Sequence, residues 1–335
     1  MRIFQKLALV ATIFLTVQAQ AFTPESGIWW NPNESGSGYA IEIQDNFLFV
    51  ALYVYDVDGN PTWYTAGTTL EGNALFNSDL NYTYNGPCID CNYTTPITIA
   101  GQRGPITINF ITETTATIQF EEAVKNIERF NFLLGDETDR MLGEWQAIID
   151  FSSTGEGFPF SADVLLFDLI TTTNGKYAEG CRPDNTIDGF CTDFALNNHD
   201  IAATYDPVEN QLLIVVNEDT NYWLAYYLDI GLDQFDGVAE LYPKNTGHNN
   251  VFYPVRGFRT ASRSFVETGV GPSKIQAIES KASNGEENQV HSERVNKFAS
   301  SIIPRAISSF SSKEQDKITR QQGLIQKLIN KLENK

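Results

Sequence analysis

Between residues 28 and 258 no stretch spaces its apolar residues with the 3.6-residue period of a helix. Short β-branched and aromatic runs instead alternate with clusters of Gly, Asn, Asp and Pro. Residues 47–55 (FLFVALYVY) form one such run, residues 56–61 (DVDGNP) are dense in turn formers, and Thr62, Trp63, Tyr64 and Thr65 resume strand character, which predicts a hairpin. Further strands are predicted at 94–100, 105–112, 116–121 and 128–134, then at 145–151, 163–172, 201–205, 211–217 and 222–228. Short strands at this spacing belong to sandwiches and barrels. The expected fold is therefore all-β: two tandem duplicated antiparallel β-barrel or sandwich domains with a C-terminal amphipathic helical tail.

The duplication is read from matches between the two halves. Gly27-Ile28-Trp29 recurs as Gly143-Glu144-Trp145, residues 35–39 (SGSGY) recur as 154–158 (TGEGF), and the turn at Asp58-Gly59 recurs at Asn174-Gly175. Each half ends with arginine beside phenylalanine, at Arg129-Phe130 and at Arg256, Phe258 and Arg259. The predicted organisation is a signal peptide at 1–21, β domains at 22–138 and 139–264, a flexible linker at 265–312 and a basic amphipathic helix at 313–335.

The leader follows from Arg2 and Lys6, the apolar run 7–17 and the small-x-small site Ala19-Gln20-Ala21. The run is shorter than the roughly 20 residues a spanning helix needs, so no transmembrane anchor is expected. The expected destination is the periplasm or the medium. Residues 22–255 carry 7 Lys+Arg against 34 Asp+Glu, net −27, whereas 256–335 carry 14 against 8, net +6. Such an acidic body repels phosphate backbones, so no nucleic-acid partner is expected. In the tail, Ile318, Ile325, Leu328, Ile329 and Leu332 fall on one helical face among lysines and arginines. That helix could dock on its own body, self-associate or lie on an anionic membrane.

An even number of cysteines in an exported chain favours disulfides. Cys88/Cys91 and Cys181/Cys191 suit two local bridges, although four cysteines permit three connectivities. A redox dithiol needs a strand-to-helix context that Asn85-Gly86-Pro87 does not offer, and a four-thiolate zinc site needs two close pairs.

Two resemblances add to this. Gly27 and Trp29 or Gly143 and Trp145 at the start of a half, with Arg129 or Arg256 and Arg259 at its end, resemble the calycin pattern of lipocalins, avidins and fatty-acid-binding proteins. There the first-strand tryptophan packs under the last-strand arginine and closes one mouth. The resemblance implies Trp29 with Arg129, Trp145 with Arg256 or Arg259, and an interior ligand cavity. Residues 27–39 (GIWWNPNESGSGY) and 55–64 (YDVDGNPTWY) resemble exported bacterial proteins carrying G-x-W-W-N-P-x-x-S-G-x-G and Y-D-x-x-G-x-P-x-W-Y motifs. That resemblance implies export and a β domain, and no reaction; position 37, often bulky there, is Ser37 here.

The three histidines, His199, His248 and His291, leave little for catalysis, and no nucleophile elbow, phosphate loop or zinc helix is present. No catalytic residue is assigned, and no cofactor is expected. Asp56, Asp58 and Asn60 place oxygens at alternate positions, as at the start of a calcium loop, but without the distal bidentate glutamate. Asp184, Asn185 and Asp188 form a weaker calcium candidate. Trp29, Trp30, Tyr39, Trp63 and Tyr64 cluster at strand ends beside Asn31, Asn33 and Asn60, where planar rings stack on sugars or line an apolar site. The leading expectation is non-catalytic binding of a small or glycan-like ligand through these residues. The alternatives are a secreted hydrolase with paired carboxylates, or an envelope structural or interaction protein.

Overall fold

The computed structural model describes residues 22–72, 74–132, 134–154, 159–182, 199–262, 302 and 304–334. The leader 1–21, residues 155–158 of the repeat, Asp184, Asn185, Asp188, Cys191, His291 and most of the linker lie outside the described residues. What is described is all-β with a helical tail: two antiparallel sheets, each with its own core, and one long helix.

The first sheet contains ten strands: β1 (Gly27–Trp30), β2 (Gly38–Gln44), β3 (Phe47–Tyr55), β4 (Pro61–Thr69), β5 (Leu75–Asp79), β6 (Asn81–Tyr84), β7 (Ile97–Ile99), β8 (Pro105–Phe110), β9 (Thr115–Phe120) and β10 (Ala123–Arg129). Their order is β5-β8-β9-β10-β1-β2-β3-β4-β6-β7. The chain through β5 and β6 is one run broken at Leu80. Its first half pairs with β8 and its second half with β4, so the same run ties both edges of the curl together. Period-2 alternation decides the faces: Leu48, Val50 and Leu52 of β3 point into the core, while Phe47, Phe49 and Tyr53 face out. The predicted hairpin of β3 and β4 is present, with its turn at 56–60.

The strand expected at 128–134 lies instead at Ala123–Arg129. Its inward positions include Lys125 and Arg129 beside Ala123 and Ile127, so it lacks the apolar alternation that marks an ordinary core strand. That departure matters for the site below.

The second sheet is a closed barrel of eight strands in sequence order: β11 (Gly143–Asp150), β12 (Phe160–Thr171), β13 (Tyr177–Cys181), β14 (Ile201–Asp206), β15 (Gln211–Asn217), β16 (Tyr222–Ile230), β17 (Gln234–Pro243) and β18 (Tyr253–Ala261). Closure leaves no unpaired edge. Side chains fill the interior, with Trp145, Phe167, Tyr226 and Phe235 fully buried. Gly257 is required there, because a Cβ on it would lie 2.1 Å from the Phe235 ring.

The two sheets share a closing device. Trp29 Nε1 donates to the Glu25 carbonyl and Trp145 Nε1 to the Met141 carbonyl, each four residues back. Arg129 donates to the Ser26 carbonyl and Arg259 to the Leu142 carbonyl, each three residues before the tryptophan. Gly27 and Gly143 both adopt positive φ, at 134° and 127°. Arg259 lies 4.1 Å over the Trp145 ring, so Arg259 rather than Arg256 is the partner of that indole; Arg256 pairs with Asp236. The turns do not correspond in the same way. Asp58-Gly59 joins the third and fourth strands of its sheet, whereas Asn174-Gly175 joins the second and third.

These two ends abut. Glu25 Oε1 accepts the backbone N–H groups of Leu232 and Asp233 at 2.8 Å and of Gln234 at 3.1 Å, at the β16–β17 turn. Arg129 stands 3.9 Å from the other Glu25 oxygen, and Arg259 donates to the Leu232 carbonyl. Contact between the units thus consumes the Trp–Arg end of each and leaves the opposite end of the first sheet away from the second barrel.

The helix α1 (Ser312–Glu333) begins at a capping box between Ser311 and Glu314. Ile325, Leu328 and Ile329 bury against Ala202, Leu213, Val215 and Trp223 on the outside of the second barrel. Arg320 pairs with Asp206 and Glu209, and Lys331 with Glu179. Among the three placements open to the tail, the structure has it docked on its own acidic barrel. No described helix is long and apolar enough to cross a membrane.

Candidate functional site

The inward residues at the end of the first sheet remote from Arg129 do not meet. Between them lies a cavity of about 300 Å³ lined by Tyr39 of β2, Leu52 and Val54 of β3, Tyr64 of β4, Ile118 and Phe120 of β9, with Lys125 of β10 and Arg103 of the β7–β8 loop at its edge. The wall is mainly aliphatic and aromatic with a few polar groups, the usual make-up of a small-molecule site.

The polar groups are unequally engaged. Arg103 Nε donates to the Tyr64 hydroxyl at 3.1 Å. Lys125 pairs with Glu34, and this hydrogen bond raises its pKa. Burial raises the pKa of Tyr39, so its phenol stays neutral, and among the described residues its hydroxyl has no hydrogen-bond partner. Asp56, which lines the cavity from the β3–β4 turn, accepts from the N–H groups of Asp58 and Asn60 and from Asn60 Nδ2, and the Asn60 bonds hold its pKa below the usual carboxylate value. Of the three side chains that suggested a calcium loop, Asp56 thus has its oxygens engaged within the turn.

The five aromatic residues expected to bind ligand separate into three groups. Tyr39 and Tyr64 line the cavity. Trp29 is fully buried under the closed end, edge-on to Phe110. Trp30 packs on Phe130 at 4.8 Å, and Trp63, 43% exposed, lies on the outer face directly across from Tyr53. Sequence reasoning missed Arg103 and Lys125. Their signal was rarity, since they are two of only seven cations in residues 22–255.

The other candidates lie elsewhere. Cys88 and Cys91 form an exposed disulfide with Cα atoms 5.0 Å apart, and Cys181 is also disulfide-bonded. His199 meets Asp168 at 3.0 Å rather than its neighbour Asp200, whose buried carboxyl is pushed up to about 6 chiefly by desolvation. His248 meets Glu240 at 2.8 Å, and Glu240 also accepts from Tyr227 and the N–H groups of Asn249 and Asn250. Inside the second barrel, Arg182 is clamped by Asp163 at 2.8 Å and Glu218 at 2.6 Å, and Tyr226 donates to Asp163.

No protein-family profile matches the chain, and no curated protein matches it.

Proposed function

We propose that the protein is an exported, non-catalytic binding protein whose ligand site is the cavity of the first sheet. The observation that carries this reading is the 300 Å³ space lined by Tyr39, Leu52, Val54, Tyr64, Ile118 and Phe120, while the equivalent interior of the second barrel is filled. Export is supported by the leader in the sequence and by the disulfide-bonded cysteines. The matched Trp–Arg closures at Trp29/Arg129 and Trp145/Arg259 support duplication of an ancestral unit, in which one copy keeps a cavity and the other has become a filled support.

The test uses a neutral apolar fluorophore, N-phenyl-1-naphthylamine. It is expected to bind the native protein with enhanced, blue-shifted emission. Val54→Trp, which puts an indole into the space, is expected to weaken binding at least tenfold without lowering the melting temperature. Binding that is absent, or that ignores this substitution, would sink the reading.

The outer face supports a second reading. Trp63 and Tyr53 form an exposed cross-strand pair, and such rings stack on sugar faces. If that face binds glycan, retention on an insoluble polysaccharide is expected to be lost in Trp63→Ala while fluorophore binding persists. Equal retention of both proteins removes this reading.

A further inference from the structure

The charge around the cavity is out of character with the body. Residues 22–255 have net charge −27, yet the ionisable groups at the cavity edge include both Arg103 and Lys125. Every other described arginine between residues 22 and 262 has a carboxylate within 4.0 Å: Arg129 at Glu25, Arg140 at Glu137, Arg182 at Asp163, Arg256 at Asp236 and Arg259 at Asp233. Among the described residues Arg103 has none, in a protein where acidic residues outnumber basic ones almost twofold. Among the described residues its only hydrogen bond is from Nε to the Tyr64 hydroxyl, so none of them engages the outer pair of guanidinium nitrogens.

The second barrel shows what an interior arginine of this chain takes when it has a partner. Arg182 is held by Asp163 through Nε and Nη2, with Tyr226 donating its hydroxyl to the same carboxylate. At the first cavity an arginine again meets a tyrosine hydroxyl, but Arg103 stands at the exposed edge and, among the described residues, no carboxylate pairs with it. Asp56, the one carboxylate that lines the cavity, has its oxygens engaged by its own turn.

Resting on the cavity reading above, we infer that the ligand itself supplies this carboxylate: a small amphipathic acid whose head meets Arg103 at the edge and whose apolar body occupies the cavity. A planar guanidinium presents two parallel donors that match a carboxylate. The Tyr39 hydroxyl, which lines the same cavity, can donate to the same carboxylate head. The cavity of about 300 Å³ takes the apolar body, with the head at its edge. Lys125, already paired with Glu34, adds positive potential at the edge without being the primary contact.

The experiment displaces bound N-phenyl-1-naphthylamine with octanoate or with octanamide, its neutral isostere, at pH 7. Octanoate is expected to displace at concentrations at least tenfold lower than octanamide. In Arg103→Gln the octanoate advantage is expected to vanish while octanamide and the fluorophore bind as before. Lys125→Met, at a half-exposed position, is expected to reduce the advantage only partly. Equal displacement by acid and amide, or an octanoate advantage that survives Arg103→Gln, would overturn the inference and leave the cavity reading standing. Failure of the fluorophore itself to bind would remove both.

Discussion

Replacing Glu113 by glutamine is expected to abolish most of the loss of stability that the native protein suffers between about pH 5 and pH 8. Glu113 lies in the β8–β9 turn, 1% exposed, at the junction of the two units, and among the described residues its Oε1 has no hydrogen-bond partner. Burial pushes its pKa from 4.5 up to about 8, and Asp229, Asp236 and Glu25 reinforce the rise. The folded protein therefore holds this proton more tightly than the unfolded chain does. Stability from this group is complete below the unfolded value and falls as pH rises through the window up to about 8. At about 1.4 kcal/mol per unit, the swing is on the order of 4 kcal/mol.

The surroundings act in the same direction. Burial also raises the pKa of Glu25, Asp229 and Asp236, although Glu25 accepts three backbone N–H groups, Asp229 accepts from Gln211 and Asp236 pairs with Arg256. Lys317, near Asp229, opposes the rise there. Glutamine keeps the shape of residue 113 without the titrating proton, so urea denaturation of the variant should show a much smaller fall in stability between pH 5 and pH 8 than the native protein shows, the remainder coming from the other buried acids. A variant that loses as much as the native protein over that range would show that Glu113 does not carry the effect.

The second large effect concerns Trp145. Its indole is fully buried, donates to the Met141 carbonyl, packs at 5.5 Å and a tilt of 41° against Phe235 and lies beneath Arg259. Burial lowers the Arg259 pKa to about 10, and its guanidinium satisfies the carbonyls of Arg140, Leu142 and Leu232. Trp145→Ala is expected to cost about 3–5 kcal/mol, the usual range for removing a large buried aromatic. Trp145→Ala and Arg259→Met together should cost less than the sum of the two, by about 0.5–2 kcal/mol, which is the cation–π coupling in a desolvated setting. Simple additivity in the double-mutant cycle would mean that the ring and the guanidinium share a location without an interaction.

The β architecture was legible because strand formation is announced locally. In β3 the residues FLFVALYVY alternate between core and exterior, and DVDGN closes the turn. The strand Gln211–Asn217 coincides with its predicted limits because every inward position is apolar. β10 was placed several residues too late for the opposite reason: Lys125 at the cavity edge and Arg129 at the closed end occupy inward positions and break the apolar alternation. The feature that made this strand hard to read is the one that makes the site.

Among the candidate residues, the sequence identified the aromatic types and could not sort them. Trp29, Trp30, Tyr39, Trp63 and Tyr64 stand within 36 positions of one another, yet one lies under the closed end, two line the cavity and two face outward. Strand parity separates Trp63 from Tyr64, since neighbours on a strand face opposite sides. It cannot tell which inward side chains fill the core and which border a gap. That depends on Arg103, contributed by a loop 39 positions from Tyr64, and on Ile118, Phe120 and Lys125 from strands on the far side of the curl.

By itself the sequence determined the β class, the hairpin at 56–60, the amphipathic helix of the tail and the acidic character of the body, because period, turn chemistry and charge are properties of neighbouring residues. The tertiary structure decided which end of the first sheet stays open, which arginine covers Trp145, where the tail docks and which of the described arginines before residue 263 has no carboxylate beside it. Each of these is a pairing between residues far apart in the chain, and only closure of the sheets brings such partners within reach.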